Sequence, residues 1–206
     1  MKIIGIGGGA ASGKTSAAIY IQQHLGEDKV SMLAMDDYYF HPNELQAKLG
    51  SFLNWDCPGA LDWVTLSADL LKIAKGQPVT TPYDSEQFEI EIDRRSSPGR
   101  VVERKDILII EGLYALYERA IGFGYSQKIF LKASHNVRFL RRKRFIMTDE
   151  YISQVHIPMY DSMVAPTART ADLVLDTDNL TATEVGDSIL NYMMDRKTLQ
   201  SGGPTI

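Results

Sequence analysis

The chain has 206 residues, of which 44% are apolar and 23% charged, and its net charge is −4. That length supports one sizeable core rather than two. The acidic balance gives no global field toward nucleic acid or anionic lipid, the lone Cys57 excludes an internal disulfide framework, and no apolar run approaches membrane-spanning length. A reducing cytoplasm is the expected setting. The N-terminus does not read as a signal peptide, because its apolar run ends in glycines and Lys14.

The first predicted element is a strand at Ile3 to Ile6. Gly8-Gly9-Ala10-Ala11-Ser12-Gly13-Lys14-Thr15 follows it and fits G-x-x-x-x-G-K-[ST], the phosphate-binding P-loop pattern. Glycines let backbone N–H groups converge on phosphate oxygens, and a predicted helix from Lys14 to Leu25 aims its positive end at the same anion. These eight residues, with Ser16 behind them, form the expected nucleotide site. In it Lys14 reaches the β- and γ-phosphates and Thr15 offers its hydroxyl to Mg²⁺. A rival pattern shares the glycines: Gly5-x-Gly7-x-x-Ala10 fits a dinucleotide fingerprint, with Asp36 rather late for its ribose contact. The GKT triplet ranks the P-loop well above it.

A second strand, Val30 to Met35, runs into Asp36-Asp37-Tyr38-Tyr39. Ligand chemistry in an open parallel sheet sits at the carboxyl ends of strands, so Asp36 is expected near the γ-phosphate. There it can accept a proton from an attacking hydroxyl and help hold Mg²⁺. Capping of the following segment competes as a role for either acid, more strongly for Asp37. A helix is predicted at Trp63 to Lys75, and Val79 to Val102 then reads as a small β-excursion, with Pro98-Gly99 turning the chain. Such inserts often carry substrate contacts, although a surface hairpin would look the same.

Ile107 to Ile110 is a third predicted strand, and it ends in Glu111-Gly112 at a Walker B position, where an acid can order the Mg²⁺ shell. Ile129 to Leu131 and Leu173 to Leu175 complete the strands. Helices are expected at Asn136 to Ile146, Tyr151 to Met163 and Thr183 to Met194, and Ser201 to Ile206 reads as a loose tail. The helix after Ile129 to Leu131 carries Arg138, Arg141, Arg142, Lys143 and Arg144. It can close over a nucleotide and screen transferring charge, or it can be a solvated face. Continuous apolar strands alternating with helices imply an α/β fold, a doubly wound parallel sheet with helices on both faces and a small β insert.

From Lys2 to about Asn179 these residues resemble the uridine kinase/phosphoribulokinase family of P-loop kinases. Asp36-Asp37-Tyr38-Tyr39 is similar to that family's Asp-Ser/Asp-Phe-Tyr segment, which implies Asp36 as catalytic base. Asn54-Trp55-Asp56-Cys57-Pro58-Gly59-Ala60-Leu61-Asp62 is similar to a uridine kinase segment whose first Asp binds ribose hydroxyls, which implies that role for Asp56; alone, Asp56 would read as a turn residue before Pro58. Pro82-Tyr83-Asp84 resembles the nucleoside-site segment, Glu111-Gly112 matches the family's Glu-Gly, and Arg138 with Arg141-Arg142 match the start of its lid helix. Pro158-Met159, Ala165-Pro166-Thr167 and Ala171-Asp172 match its C-terminal segment, with Arg169 near the adenine position. The chain departs from the pattern at Cys57, in a short lid region (138–150) where no Arg-Gly-Arg follows Arg144, and at the pyrimidine-contacting His, where Ser85 and then Phe88 stand.

The resemblance implies one kinase domain over 1–206, with the 79–102 insert at the acceptor site. ATP and Mg²⁺ are its cofactors and a small-molecule alcohol its acceptor; nucleic-acid and membrane partners are not expected, and self-association is open. Asp56, Tyr83, Tyr39 and Phe88 are the expected acceptor residues. A phenyl ring stacks but offers no matched hydrogen bond to a base edge, so little pyrimidine preference is expected. The acceptor stays open among nucleosides, pantothenate-like compounds and sugars, and a nucleotide switch without an acceptor is the alternative class.

Overall fold

The computed structural model describes residues 1–41, 43–49, 51–85, 98–141 and 148–201. Five parallel strands form the sheet: β1 (Lys2–Gly8), β2 (Val30–Ala34), β7 (Ile107–Gly112), β8 (Gln127–Lys132) and β9 (Leu173–Asp176), in the order β2-β7-β1-β8-β9. The central strands are fully buried over Ile4, Ile6, Leu108, Ile109, Ile110 and Ile129, as a sheet covered on both faces requires. One core gathers Ile4, Ile6, Ala17, Ala18 and Ile21 under α1 (Lys14–Leu25), with Val185, Ile189 and Met193 of α7 (Ala182–Ser201). The opposite core holds Leu66, Leu70 and Ile73 of α2 (Trp63–Ala74), the 113–116 turn and Tyr160. The doubly wound α/β reading therefore stands.

Smaller elements decorate this frame. β3 (Lys48–Leu49) and β4 (Phe52–Leu53) pair as a short hairpin. β5 (Val79–Thr80) and β6 (Val101–Val102) pair antiparallel and form the neck of the expected insert. An added Cβ on Gly99 would lie 1.7 Å from the Thr81 carbonyl oxygen, so only glycine fits that neck. The middle of the insert, Phe88 included, lies outside the described residues. A short helix, α3 (Glu118–Ile121), precedes β8.

The helical boundaries differ most after β8. The helix expected at Asn136 to Ile146 is α4 (His135–Arg141) over its described part; Arg142, Lys143 and Arg144 lie outside it. The helix expected at Tyr151 to Met163 is a longer composite. α5 (Asp149–Tyr151) and α6 (Ile157–Met159) alternate with two π-helical turns, Ile152–His156 and Tyr160–Val164, and a 3₁₀ turn, Ala165–Thr170, ends the run. Pro158 and Pro166 each follow a wide turn; a proline supplies no N–H to a tight helical ladder, and the ladder widens around it. The final helix extends to Ser201, beyond the expected Met194 and into the first residue of the expected loose tail, whose remaining residues lie outside the described ones.

Candidate active site

The sheet register brings three predicted site segments to one edge. Glu111 lies between Ile6 of β1 and Ala34 of β2, so the phosphate loop, Glu111 and the Asp36 turn leave the sheet side by side. Gly13 begins α1 at φ 99°, a left-handed conformation that glycine takes without strain. Lys14 Nζ donates to the Gly9 carbonyl at 2.9 Å. Gly5 and Gly7 do a different job: added Cβ atoms would meet Tyr125 and Leu116 at 2.9 Å. They permit close packing of β1, and the dinucleotide reading of these glycines is set aside.

Thr15 Oγ1 donates to Glu111 Oε1 at 3.0 Å. Burial first, then the Asp36 charge, push Glu111 up to about 7, with Lys14, Thr15 and Arg100 opposing the rise. A desolvated carboxylate, a second carboxylate and a hydroxyl thus converge, all hard oxygen donors that fit Mg²⁺. Among the described residues no group of three or more His, Cys, Asp or Glu side chains has metal-holding geometry. Ser12 Oγ is buried without a hydrogen-bond partner among the described contacts, and a Cβ on Gly13 would meet nothing within 4 Å. The loop therefore has a spare hydroxyl and open space where phosphate binding is expected.

The two acids after β2 part company. Asp36 is exposed, whereas Asp37 is 0% exposed. Asp37 accepts from Ser85 N and Oγ at 2.9 and 2.6 Å and from Arg100 Nη2 at 2.9 Å. Burial raises its pKa, against the pull of Arg100 and Ser85. Its role is not a helix cap: it pins the two ends of the insert to the turn that carries Asp36. Tyr83, expected at the acceptor, is also turned to this task. Its hydroxyl donates to the Asp36 carbonyl at 2.6 Å and accepts from Tyr39 N at 3.1 Å.

Asp56, in the segment after β4, is buried. Its Oδ2 accepts from Tyr151 Oη at 2.9 Å, and its Oδ1 lies 2.8 Å from His156 Nδ1. Tyr114 Oη donates to its main-chain carbonyl. Tyr39 is half-buried: burial first, then the charges of Asp36 and Asp56, lift its phenol above the ordinary value.

The arginines sit differently from the expected lid. Arg138 is 1% exposed and lies over the Tyr160 ring at 3.8 Å. Arg141 Nη1 donates to Thr177 Oγ1 at 3.0 Å, and that hydroxyl reaches the Ser12 carbonyl at 3.2 Å. Both side chains are drawn inward because His135, Tyr160 and Thr177 offer acceptors or a ring there. Arg169 is exposed on the 3₁₀ turn that packs against β1 and β8, and Ser16 is exposed on α1. Arg142 and Phe88 lie outside the described residues. Arg100, Tyr114, Tyr151 and His156 were not anticipated. Tyr151 and His156 lie 95 and 100 residues beyond Asp56, and no spacing in the sequence links them to it.

Comparison with known proteins places the chain in a family. The family profile described as Phosphoribulokinase / Uridine kinase family matches residues 3–184. The uridine kinase of Deinococcus deserti is 30% identical over 182 residues, spanning 84% of this chain and 86% of its own length. A possible uridine kinase from Bacillus stearothermophilus aligns with a TM-score of 0.59 at 20% identity, covering 85% of this chain and 88% of that one. Phosphoribulokinase from Rhodobacter spheroides gives 0.59 at 15% identity, covering 85% and 69%. The two structures speak to the fold, and the profile together with the sequence relative speaks to kinship. The chain is thus an ATP-dependent P-loop kinase that belongs to the phosphoribulokinase/uridine kinase family.

Proposed function

We propose that this kinase transfers the γ-phosphoryl group of ATP to a primary hydroxyl of a small-molecule acceptor, with nucleosides first among the candidates. The observation that carries the reading is that the strand register brings the phosphate loop, the Thr15–Glu111 pair and the Asp36 turn to one edge of the sheet. In this reading Asp36 serves the phosphate edge and Asp56 the acceptor. The uridine kinase relative supports a nucleoside acceptor.

In this reading Lys14 and the loop amides hold the phosphates, and Thr15, Asp36 and Glu111 are the residues that would hold Mg²⁺. Mg²⁺, when bound, would neutralise charge developing on the transferring phosphoryl group. Asp36 takes the proton of the acceptor hydroxyl as that oxygen bonds to phosphorus and the bond to ADP breaks. Asp56 orients the acceptor by accepting from its hydroxyls, while Tyr83 keeps the Asp36 turn in place. Positioning and electrostatics supply most of the rate in such transfers, so this set is sufficient.

A second reading, a non-nucleoside alcohol as acceptor, draws on one feature. Both carboxylate oxygens of Asp56 already engage protein side chains. About half of its lone-pair sites remain for an acceptor, which suits a single hydroxyl as well as a ribose diol. ADP release measured against uridine, cytidine, adenosine, nicotinamide riboside, pantothenate and sugar alcohols decides. Stimulation by nucleosides is expected. Stimulation by other alcohols alone selects the second reading, and ADP release indifferent to every alcohol removes the acceptor altogether.

A further inference from the structure

A line of buried side chains joins the acceptor carboxylate to the phosphate loop through the protein interior. His156 is 1% exposed and stands between Asp56 and Arg138. Its Nδ1 lies 2.8 Å from Asp56 Oδ1, and its Nε2 lies 3.5 Å from Arg138 Nη1. The chemistry of these neighbours fixes the proton. A guanidinium only donates, so Nε2 must accept; an ionised carboxylate only accepts, so Nδ1 carries the hydrogen. Both partners ask for the same neutral tautomer.

Arg138 carries the line further. Its Nη2 donates to His135 Nδ1 at 2.7 Å, and the His135 ring reaches Asp161 at 3.3 Å. Tyr160 covers one face of the guanidinium. The Nη1 edge presses against the phosphate loop, where a Cβ on Gly9 would meet it at 2.5 Å. The carbonyl of that same Gly9 holds Lys14 Nζ. A guanidinium held by a ring, a histidine and a loop backbone cannot shift without moving one of them.

We propose that His156 is a positioning residue that couples Asp56 to the phosphate loop through Arg138, so that nucleotide and acceptor each tighten the hold on the other. The proposal rests on the transfer reading above. When Asp56 turns to accept a substrate hydroxyl, the Nδ1–H bond draws the His156 ring with it, and Nε2 carries the shift to Arg138. Phosphates gathered by the loop act on the same line from the other end. Coupling free energies between sites are reciprocal and commonly correspond to about 5- to 150-fold in affinity.

Imidazole ¹⁵N spectra of the whole chain test the line with no acceptor present. The expected result is an Nδ1-protonated His156 whose signals change on adding Mg²⁺ and ADP. An Nε2-protonated ring, or signals indifferent to Mg²⁺ and ADP, overturns the proposal. Kinetics use whichever alcohol best stimulates ADP release in the wild type. His156→Val is expected to raise the acceptor KM roughly 10- to 100-fold, the scale of a hydrogen bond to a charged group, with kcat changed much less. His156→Asn keeps an N–H near Asp56 and loses the acceptor for Arg138. It should restore most of the acceptor KM, while the ATP KM no longer falls as acceptor rises. A wild-type acceptor KM in His156→Val, or intact ATP–acceptor coupling in His156→Asn, overturns the proposal. If no alcohol stimulates the wild type, the transfer reading fails, and the spectra still decide whether His156 responds to the phosphate loop.

Discussion

On the phosphate side, Glu111 stands at the end of β7 beside β1 in a continuous parallel ladder, and Lys14 and Thr15 open the helix that follows β1, Thr15 bonded to Glu111. On the acceptor side, Asp56 is held by side chains that come from 58, 95 and 100 residues away. Backbone pairing fixes the first arrangement whatever the neighbouring side chains do. The second depends on individual hydrogen bonds between side chains. Changes on the phosphate side should therefore be felt chiefly in kcat, and changes on the acceptor side chiefly in binding and stability.

The sharpest test of that contrast is Asp36→Asn. It should lower kcat by roughly 10²–10⁴-fold, the scale of a lost general base, with ATP binding changed much less. Normal turnover in Asp36→Asn would move the base elsewhere. Lys14→Ala should follow, with a loss in kcat of roughly 10²–10³-fold and an intact fold by circular dichroism, since one electrostatic contact to the phosphates is removed. Wild-type turnover at the same ATP concentration would break the phosphate-side assignment.

Arg100→Ala probes the acceptor-side scaffold. It leaves the buried Asp37 carboxylate without its guanidinium and should cost about 3 kcal/mol of stability, read from denaturant midpoints. A loss confined to kcat, with an unchanged midpoint, would mean that Arg100 serves the reaction and not the scaffold. Asp56→Ala should raise the acceptor KM by roughly 10-fold or more and leave the ATP KM near its usual value when acceptor is scarce. The reverse pattern would place Asp56 on the phosphate side.

The smallest effect is a slope with pH. The folded-state pKa of Glu111 is about 7 against an ordinary 4.5, so the folded chain retains a proton that the unfolded chain releases. In Mg²⁺-free buffer this group's contribution to stability should fall as pH rises from about 4.5 to about 7, then level off. Glu111→Gln should flatten that part of the curve. Identical slopes in the two proteins would mean that Glu111 titrates normally.

Much of the phosphate side was legible in the sequence, because its parts lie where apolar strands stop. Gly8 to Thr15, Asp36 and Glu111 are each marked by the run before them. On the proposed acceptor side the sequence pointed to Asp56 chiefly through a resemblance. Tyr151 and His156 meet Asp56 through tertiary packing, which leaves no periodic trace. Asp37 and Arg100 form a buried pair whose members look like an ordinary turn acid and an ordinary loop base. Arg138 reads as surface because charge and helical spacing suggest exposure; the ring and the two histidines that receive it lie elsewhere in the fold or carry no signal of their own. The helical boundaries after Thr148 failed for a related reason. A π turn has the same residue preferences as its α neighbours, and only Pro158 and Pro166 hint at it.

The first of those wide turns sets a rule about residue number. Tyr151 and His156 are five apart, and both reach Asp56. In an α-helix each residue advances about 100°, so positions five apart point well away from each other. A π turn closes its ladder at i→i+5, which brings the two positions nearly into line. The pair is thus aligned by the length of the segment as much as by its chemistry. Removing one exposed residue, Ser153 for instance, would leave the two positions four apart, and α-helical winding then sets them only about 40° from one another, on the same face. In this part of the protein a one-residue deletion that tightens the wide turn should harm acceptor binding less than a substitution of either side chain that touches Asp56.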